Sequence, residues 1–208
     1  MEEDKSVIQR AVVTLAEAGW IRSLPSPPTR WEVSARLFTI AHLPRSAGEL
    51  RQRARSTLEA VRDQSNETVF LAIPDVGRFV VIDVAQGPHP LRAALKEGDI
   101  IPVRGSATAA AILPFLDPKS VDVMLAGATY DEGAALRAKS GQGAFAVSVD
   151  GVLTGSTSLA APIFDDMGIP IGAIGLAGPT SRIPEDRHAH LGTLLLSGAR
   201  NLSQSASA

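Results

Sequence analysis

Apolar positions along this chain repeat at two periods, and each period marks a different kind of element. Near the start, Ile8, Val12 and Leu15, with Ala11 and Ala18 beside them, fall at helical spacing. Asp4 can cap the turn before them, and Gly19 ends the run. The next two stretches, WIRSL and RWEV, are short and β-prone, and Pro25, Pro27 and Pro28 between them cannot continue either strand, so they predict a hairpin. From Ser34, SARLFTIAHL reads as a connecting helix. SAGELRQRARSTLEAVRDQ reads as a second one, opened by the capping box Ser46-x-x-Glu49 and burying Leu50, Ala54, Leu58 and Val61. Arg51, Arg53, Arg55 and Arg62 on its other face read as solvated charges.

The remainder alternates differently. ETVFLAI and FVVIDVA are strands joined at PDVGR; SATAAAILPFL, PKSVDVMLAG and YDEGAALRAKSG are helices, the last behind the box Thr129-x-x-Glu132. AFAVSV, TSLAAPIFD and IPIGAIGLAG are strands again, the last two joined at Asp165, Asp166, Met167 and Gly168, and a helix from about Glu185 to Leu202 closes the chain. Strands, then helices, then strands and a final helix predict an α+β body: one mostly antiparallel sheet with helices packed on it.

Composition narrows the chemistry. The 208 residues, 45% of them hydrophobic, suffice for a packed domain with a small appendage, and the absence of cysteine excludes disulfides and thiolate chemistry. No run of 18 apolar residues and no signal-like start occurs, which places the expected protein in the cytoplasm and off the membrane. Residues 1–62 carry 10 Lys and Arg against 7 Asp and Glu, and the rest carry 10 against 15. A positive segment ahead of an acidic body suits a nucleic-acid-binding appendage on a sensing domain, although a surplus of three charges is also ordinary surface variation. Helix followed by basic hairpin, with Arg22 and Arg30 on the hairpin, is the order of a recognition helix and its wing.

Catalytic and metal chemistry finds little support. His42, His89, His188 and His190 stand in no metal or nucleophile spacing; Ser156 and Ser158 lack the G-x-S-x-G elbow and a base beside them. No catalytic residue, metal site or cofactor is expected. Gly172, Gly175 and Gly178 recur within a strand and read as close sheet packing rather than a phosphate loop. Ser106 opens a helix whose first N–H groups, at Ala107 and Thr108, could meet a carboxylate; as a local sequence it reads first as an ordinary N-cap.

The order of these motifs resembles the isocitrate-lyase-regulator (IclR) family of bacterial transcription factors. KSVIQRAVVTLAEAGWI resembles that family's recognition helix and the start of its wing, and ETVFLA, HPLR, EGDIIPV and SATAAAIL follow in family order. GSTSLAAPIFDDMGIPIGAIGLAGPTSR is the most specific stretch, resembling a signature of Gly, a strand with Ala-Ala-Pro, Phe-Asp, a turn, a second strand and Gly-Pro. The resemblance implies a partial winged helix-turn-helix over residues 1–33 and a linker helix over 34–45. It further implies a GAF-like or profilin-like effector-binding domain over 46–208, and pairing into homodimers or homotetramers. The two helices that precede the reader in this family would stand before Asp4. On the resemblance, either the start given for the chain is too late and those helices precede it, or this is a naturally shortened, sensor-only relative that lacks DNA binding of its own. A small serine hydrolase is the remaining alternative.

On the same resemblance, Lys5, Ser6, Gln9 and Arg10 would read double-stranded operator DNA, with Arg22 and Arg30 on the wing; Gln suits adenine and Arg guanine, while Lys and Ser usually take phosphates. The effector positions fall on Ser106, Ala107, Thr108, Ser148, Ser158, Gly175 and Ala177. Family members that bind small keto acids tend to carry hydroxyls at the last two positions and a Gly-Lys pair where this chain has Ala109 and Ala110. The expected ligand is therefore a small organic acid with an apolar or aromatic body rather than one like glyoxylate.

Overall fold

The computed structural model describes residues 5–24, 30–34, 45–75, 77–125 and 144–204, and the chain forms two compact units, Met1–Gly48 and Glu49–Ala208. In the first unit the helical spacing is realised as α1 (Lys5–Glu17). Gly19, at φ 77°, ends it: its N–H bonds Ala16 O and the Trp20 N–H bonds Leu15 O, which satisfies carbonyls the last turn leaves open. The hairpin follows as β1 (Ile21–Leu24) and β2 (Arg30–Val33), antiparallel with Arg22 opposite Glu32. Asp4, the three prolines, most of the connecting helix and the box at Thr129 lie outside the described residues.

α2 (Arg45–Ser65) includes both Ser46 and Glu49 of the box. The second unit is built around a six-stranded antiparallel sheet in the order β5–β4–β3–β8–β7–β6. Its strands are β3 (Thr68–Asp75), β4 (Arg78–Ala85), β5 (Ile100–Pro102), β6 (Ala146–Val149), β7 (Ser156–Phe164) and β8 (Pro170–Pro179). β5, within EGDIIPV, is a short edge strand that the sequence pattern does not announce. Three residues give too few alternations to read.

Both faces of the sheet are covered. On one, α2 and α5 (Glu185–Gln204) pack Leu50, Leu58, Val61, Leu191, Leu195 and Leu202 against Val69, Leu71, Leu159, Ile163, Ile174 and Leu176. On the other lie α3 (Ala107–Ile112), a 3₁₀ turn (Leu113–Phe115) and α4 (Pro118–Leu125), against Phe70, Phe79, Val81, Ala146, Ala160, Ala173 and Ala177. A strand covered twice shows no polar alternation, and β8 is accordingly buried along almost its whole length. The predicted stripe at Leu50, Ala54, Leu58 and Val61 is buried. The arginines opposite it are not merely solvated. Arg51 bonds Glu97, and Arg55 reaches Glu59, the buried Asp83 at 3.0 Å and Val84 O at 3.1 Å. Asp83 faces α2 because Ile82 is an extra residue in β4, where Leu71 pairs with Asp83 but Ala72 with Val81.

Candidate functional site

Register alone assembles the site. Ser148 on β6 is opposite Ser158 on β7, Ser158 is opposite Ala177 on β8, and Ala177 is opposite Thr68 on β3. These four form one row across the sheet. The next row on the same face, two residues along each strand, is Ala146, Ala160, Gly175 and Phe70. The sheet face carrying both rows is the one covered by α3, so the structure brings together Ala107, Thr108, Ser148, Ser158, Gly175 and Ala177, with Ser106 at the helix start.

Most of this surface is small. Ala107, Ala109, Ala110 and Ala111 on α3 meet Ala146, Ala160, Ala173 and Ala177 on the strands. In the two rows the large side chain is Phe70, whose ring lies where a Cβ on Gly175 would project. A hydroxyl-bearing residue at 175 would collide with that ring, so the glycine and the phenylalanine form a matched pair. Gly172 and Gly178 also lie close to neighbouring groups, Ala72 O and the Glu67 carboxylate, in keeping with their reading as packing glycines.

Hydrogen bonding sorts the hydroxyls into two sets. Ser106 Oγ accepts from the Ala109 N–H at 3.1 Å, an N-cap. Ser148 donates to Gly105 O at 2.5 Å, which fastens the segment leading into α3 onto β6. Gly105 and Gly151 touch backbone to backbone there, and a Cβ on either would enter the other's carbonyl. Thr68 donates to Ala93 O at 2.9 Å and accepts from the Gly87 N–H at 3.2 Å. Thr108 and Ser158 form the second set. Thr108 is 1% exposed, and among the described residues no group hydrogen-bonds its hydroxyl; the half-buried Ser158 hydroxyl likewise has no partner among them. Natural interiors rarely leave such a group unmatched, since it costs ~1–3 kcal/mol.

Thr68 and Phe70 belong to these rows but escape sequence reasoning. In a twice-covered strand, alternation does not separate one face from the other, so ETVF gives no sign of which residues share a face with Ser158.

In the first unit, Ser6, Gln9 and Arg10 are exposed on α1, and Lys5 is its first residue. The Arg10 guanidinium folds back over the preceding turn, donating to Ser6 O at 3.3 Å and to Ser6 Oγ at 3.5 Å. Arg22 pairs across the hairpin with Glu32, and Arg30 is exposed at the start of β2. Exposed pairs of this kind contribute little, so Arg22 can exchange its partner at small cost.

No group of three or more His, Asp or Glu side chains gathers among the described residues. His188 contacts Ile183 O through Nε2 at 3.1 Å, and Ser156 donates to Gly178 O at 3.4 Å. No helix among the described residues is long and apolar enough to cross a membrane.

A family model for the C-terminal region of the bacterial transcriptional regulator IclR matches residues 45–204. The transcriptional repressor IclR of Escherichia coli (strain K12) is 25% identical, over 95% of this chain and 77% of its own. The HTH-type transcriptional regulator BhcR of Paracoccus denitrificans is 26% identical over 95% and 75%. An IclR family transcriptional regulator from Brucella abortus superposes with a TM-score of 0.74 at 19% identity, covering 97% of this chain and 80% of that one. Thermotoga maritima IclR does so with a TM-score of 0.67 at 20% identity, over 98% and 86%. These structural likenesses carry the α+β fold. The chain belongs to the IclR family, whose members are transcriptional regulators and not enzymes.

Proposed function

We propose that this protein is an effector-responsive transcriptional regulator. Its second unit binds a small organic acid between α3 and the β6–β7–β8 face, and its helix and hairpin contact double-stranded operator DNA. The observation that carries the ligand reading is the buried Thr108 hydroxyl on α3, which packs on the row that includes Ser158, neither hydroxyl having a partner among the described residues. A ligand oxygen supplies the partner those hydroxyls lack. Ser106 and Ser148 act on the backbone that shapes the site, while Ala107, Gly175 and Ala177 set its width.

Phe70 and the surrounding alanines support an apolar or aromatic body on the ligand. Isothermal titration with acetate, pyruvate, benzoate and phenylpyruvate tests this, and the aromatic acids should bind most tightly. Pyruvate outbinding both aromatic acids would contradict it.

On the DNA side, Gln9 and Arg10 read base edges and Lys5, Ser6, Arg22 and Arg30 take phosphates. A sharp drop in operator affinity on Arg10→Ala, with acid binding unchanged, would fit; Arg22→Ala should weaken binding to all sequences alike. Regulation needs no covalent step: a ligand that prefers one geometry of the second unit shifts operator affinity in proportion to that preference, in homodimers or homotetramers. Gel-shift titration of the full chain with and without saturating ligand checks this, and unchanged operator affinity would overturn it.

A further inference from the structure

Beyond β4 the chain runs from Gln86 to Asp99 without regular structure, its far end tied back to β4 where the Gly98 N–H bonds Val81 O at 2.8 Å and the Val81 N–H bonds Asp99 O at 2.9 Å. Within Gly87–Leu95 three backbone groups are held from near the junction of β3 and β8, while Gln86 bonds Leu95 O and Arg92 bonds His89 O within the loop itself. The Thr68 hydroxyl takes two of them, donating to Ala93 O and accepting from the Gly87 N–H. Arg182, just past β8, takes the third, donating to Leu91 O at 2.9 Å. The same guanidinium grips both carboxylate oxygens of Glu67, the residue before Thr68, at 2.6 Å each. Glu67 is buried, so Arg182 is held rigidly where it meets the loop. Arg187 adds a brace, donating to Arg182 O at 2.6 Å.

The loop lies close enough that a Cβ on Gly87 would come within 2.8 Å of the Thr68 backbone nitrogen. Its side chains Ala93 and Leu95 pack on the apolar cluster of the α3 face. Thr68 is the β3 end of the row Ser148, Ser158, Ala177, Thr68. The two ends of that row therefore do the same work, with Ser148 fastening the segment before α3 and Thr68 fastening the loop after β4.

We propose that Thr68 and Arg182 are positioning residues of the ligand site, fastening Gly87–Leu95 as the wall at the β3 end of the row against which a ligand's apolar body packs. The proposal rests on the ligand reading given above. Neither residue touches the ligand's carboxylate, because the Thr68 hydroxyl is already engaged as donor and acceptor and the Arg182 guanidinium is spent on Glu67 and Leu91.

Arg182→Ala would leave a buried carboxylate unpaired and risks unfolding the domain, so Thr68→Val is the informative variant. Thr68→Ser keeps the hydroxyl. Thr157→Val removes another fully buried hydroxyl, one bonded to Thr180 at 3.0 Å and lying next to Ser158 in β7, on the opposite face of the sheet. The full chain and these variants are titrated calorimetrically with phenylpyruvate and pyruvate, and amide hydrogen exchange is followed over Gly87–Leu95. The expected result is a loss of about tenfold or more in phenylpyruvate affinity for Thr68→Val. Pyruvate affinity should fall less, and exchange in the loop should quicken. Thr68→Ser and Thr157→Val should stay within about threefold of the parent protein. If Thr68→Val binds phenylpyruvate as the parent does, or Thr157→Val loses as much, the wall is wrong while the ligand site stands. If the parent protein binds none of the acids, the ligand site is wrong and the wall falls with it.

Discussion

The two faces of the central sheet are built from different side chains. Under α2 and α5 the residues are large and aliphatic, and leucines from both helices interlock with Leu71, Leu159, Ile174 and Leu176. Under α3, on β6, β7, β8 and β3, they are alanines, a glycine, serines and a threonine, with Phe70 facing Gly175, while Phe79, Val81 and Ile101 continue that face on β4 and β5. A face made to hold a fold together maximises apolar area, whereas a row of small residues interrupted by hydroxyls gives up packing for shape and for hydrogen-bonding groups. Two residues that are adjacent in sequence, Leu176 and Ala177, thus serve different ends because their side chains leave the strand in opposite directions.

The contrast predicts a graded set of mutational effects. Leu176→Ala, on the aliphatic face, should cost ~2–5 kcal/mol in chemical denaturation, since it opens a cavity in a fully buried cluster. A loss below about 1 kcal/mol would mean that this face is not the stabilising one. Gly175→Ser, on the other face, should cost ~1–3 kcal/mol through collision with the Phe70 ring, and Phe70→Leu in the same chain should recover part of the loss. Thr108→Val should leave stability unchanged or slightly raised, because it removes a buried hydroxyl without a partner among the described residues, and should weaken acid binding about tenfold.

The smallest effect lies away from both faces. Asp117 caps α4, and its carboxyl is held below the ordinary aspartate range chiefly by the Ser120 hydroxyl, with the Ser120 and Lys119 N–H groups adding to the effect. A carboxyl whose folded pKa is depressed stabilises the fold at pH values above its unfolded pKa, near ~3.9. The contribution fades as pH falls through the folded value. Stability followed by urea denaturation from neutral to acid pH should therefore decline less steeply in that acid window for Asp117→Asn than for the parent chain.

Much of the architecture is legible in the sequence because the elements carry local signals. Gly19 stops α1, the spacing of Leu50, Ala54, Leu58 and Val61 marks the buried side of α2, and the turn at Asp165 and Gly168 separates β7 from β8. Ser106 is the N-cap that its sequence context suggests. Other features depend on partners distant in sequence. Arg55 looks like any surface arginine until the β4 bulge turns Asp83 toward it, and the Glu67–Arg182 pair joins residues 115 positions apart. The division of the hydroxyls into those that hold backbone and those left unpaired is of the same kind, since Ser148 and Ser158 read alike until Gly105 O is placed beside one of them.

The measurement that bears most directly on the two-faced sheet is amide hydrogen exchange of the full chain with and without saturating phenylpyruvate. Protection should rise in α3 and in the segments of β6, β7 and β8 that carry Ser148, Ser158 and Gly175, while α2 and α5 stay as they were. Protection confined to α2 and α5, with no change in α3, would place the ligand on the aliphatic face and contradict the account.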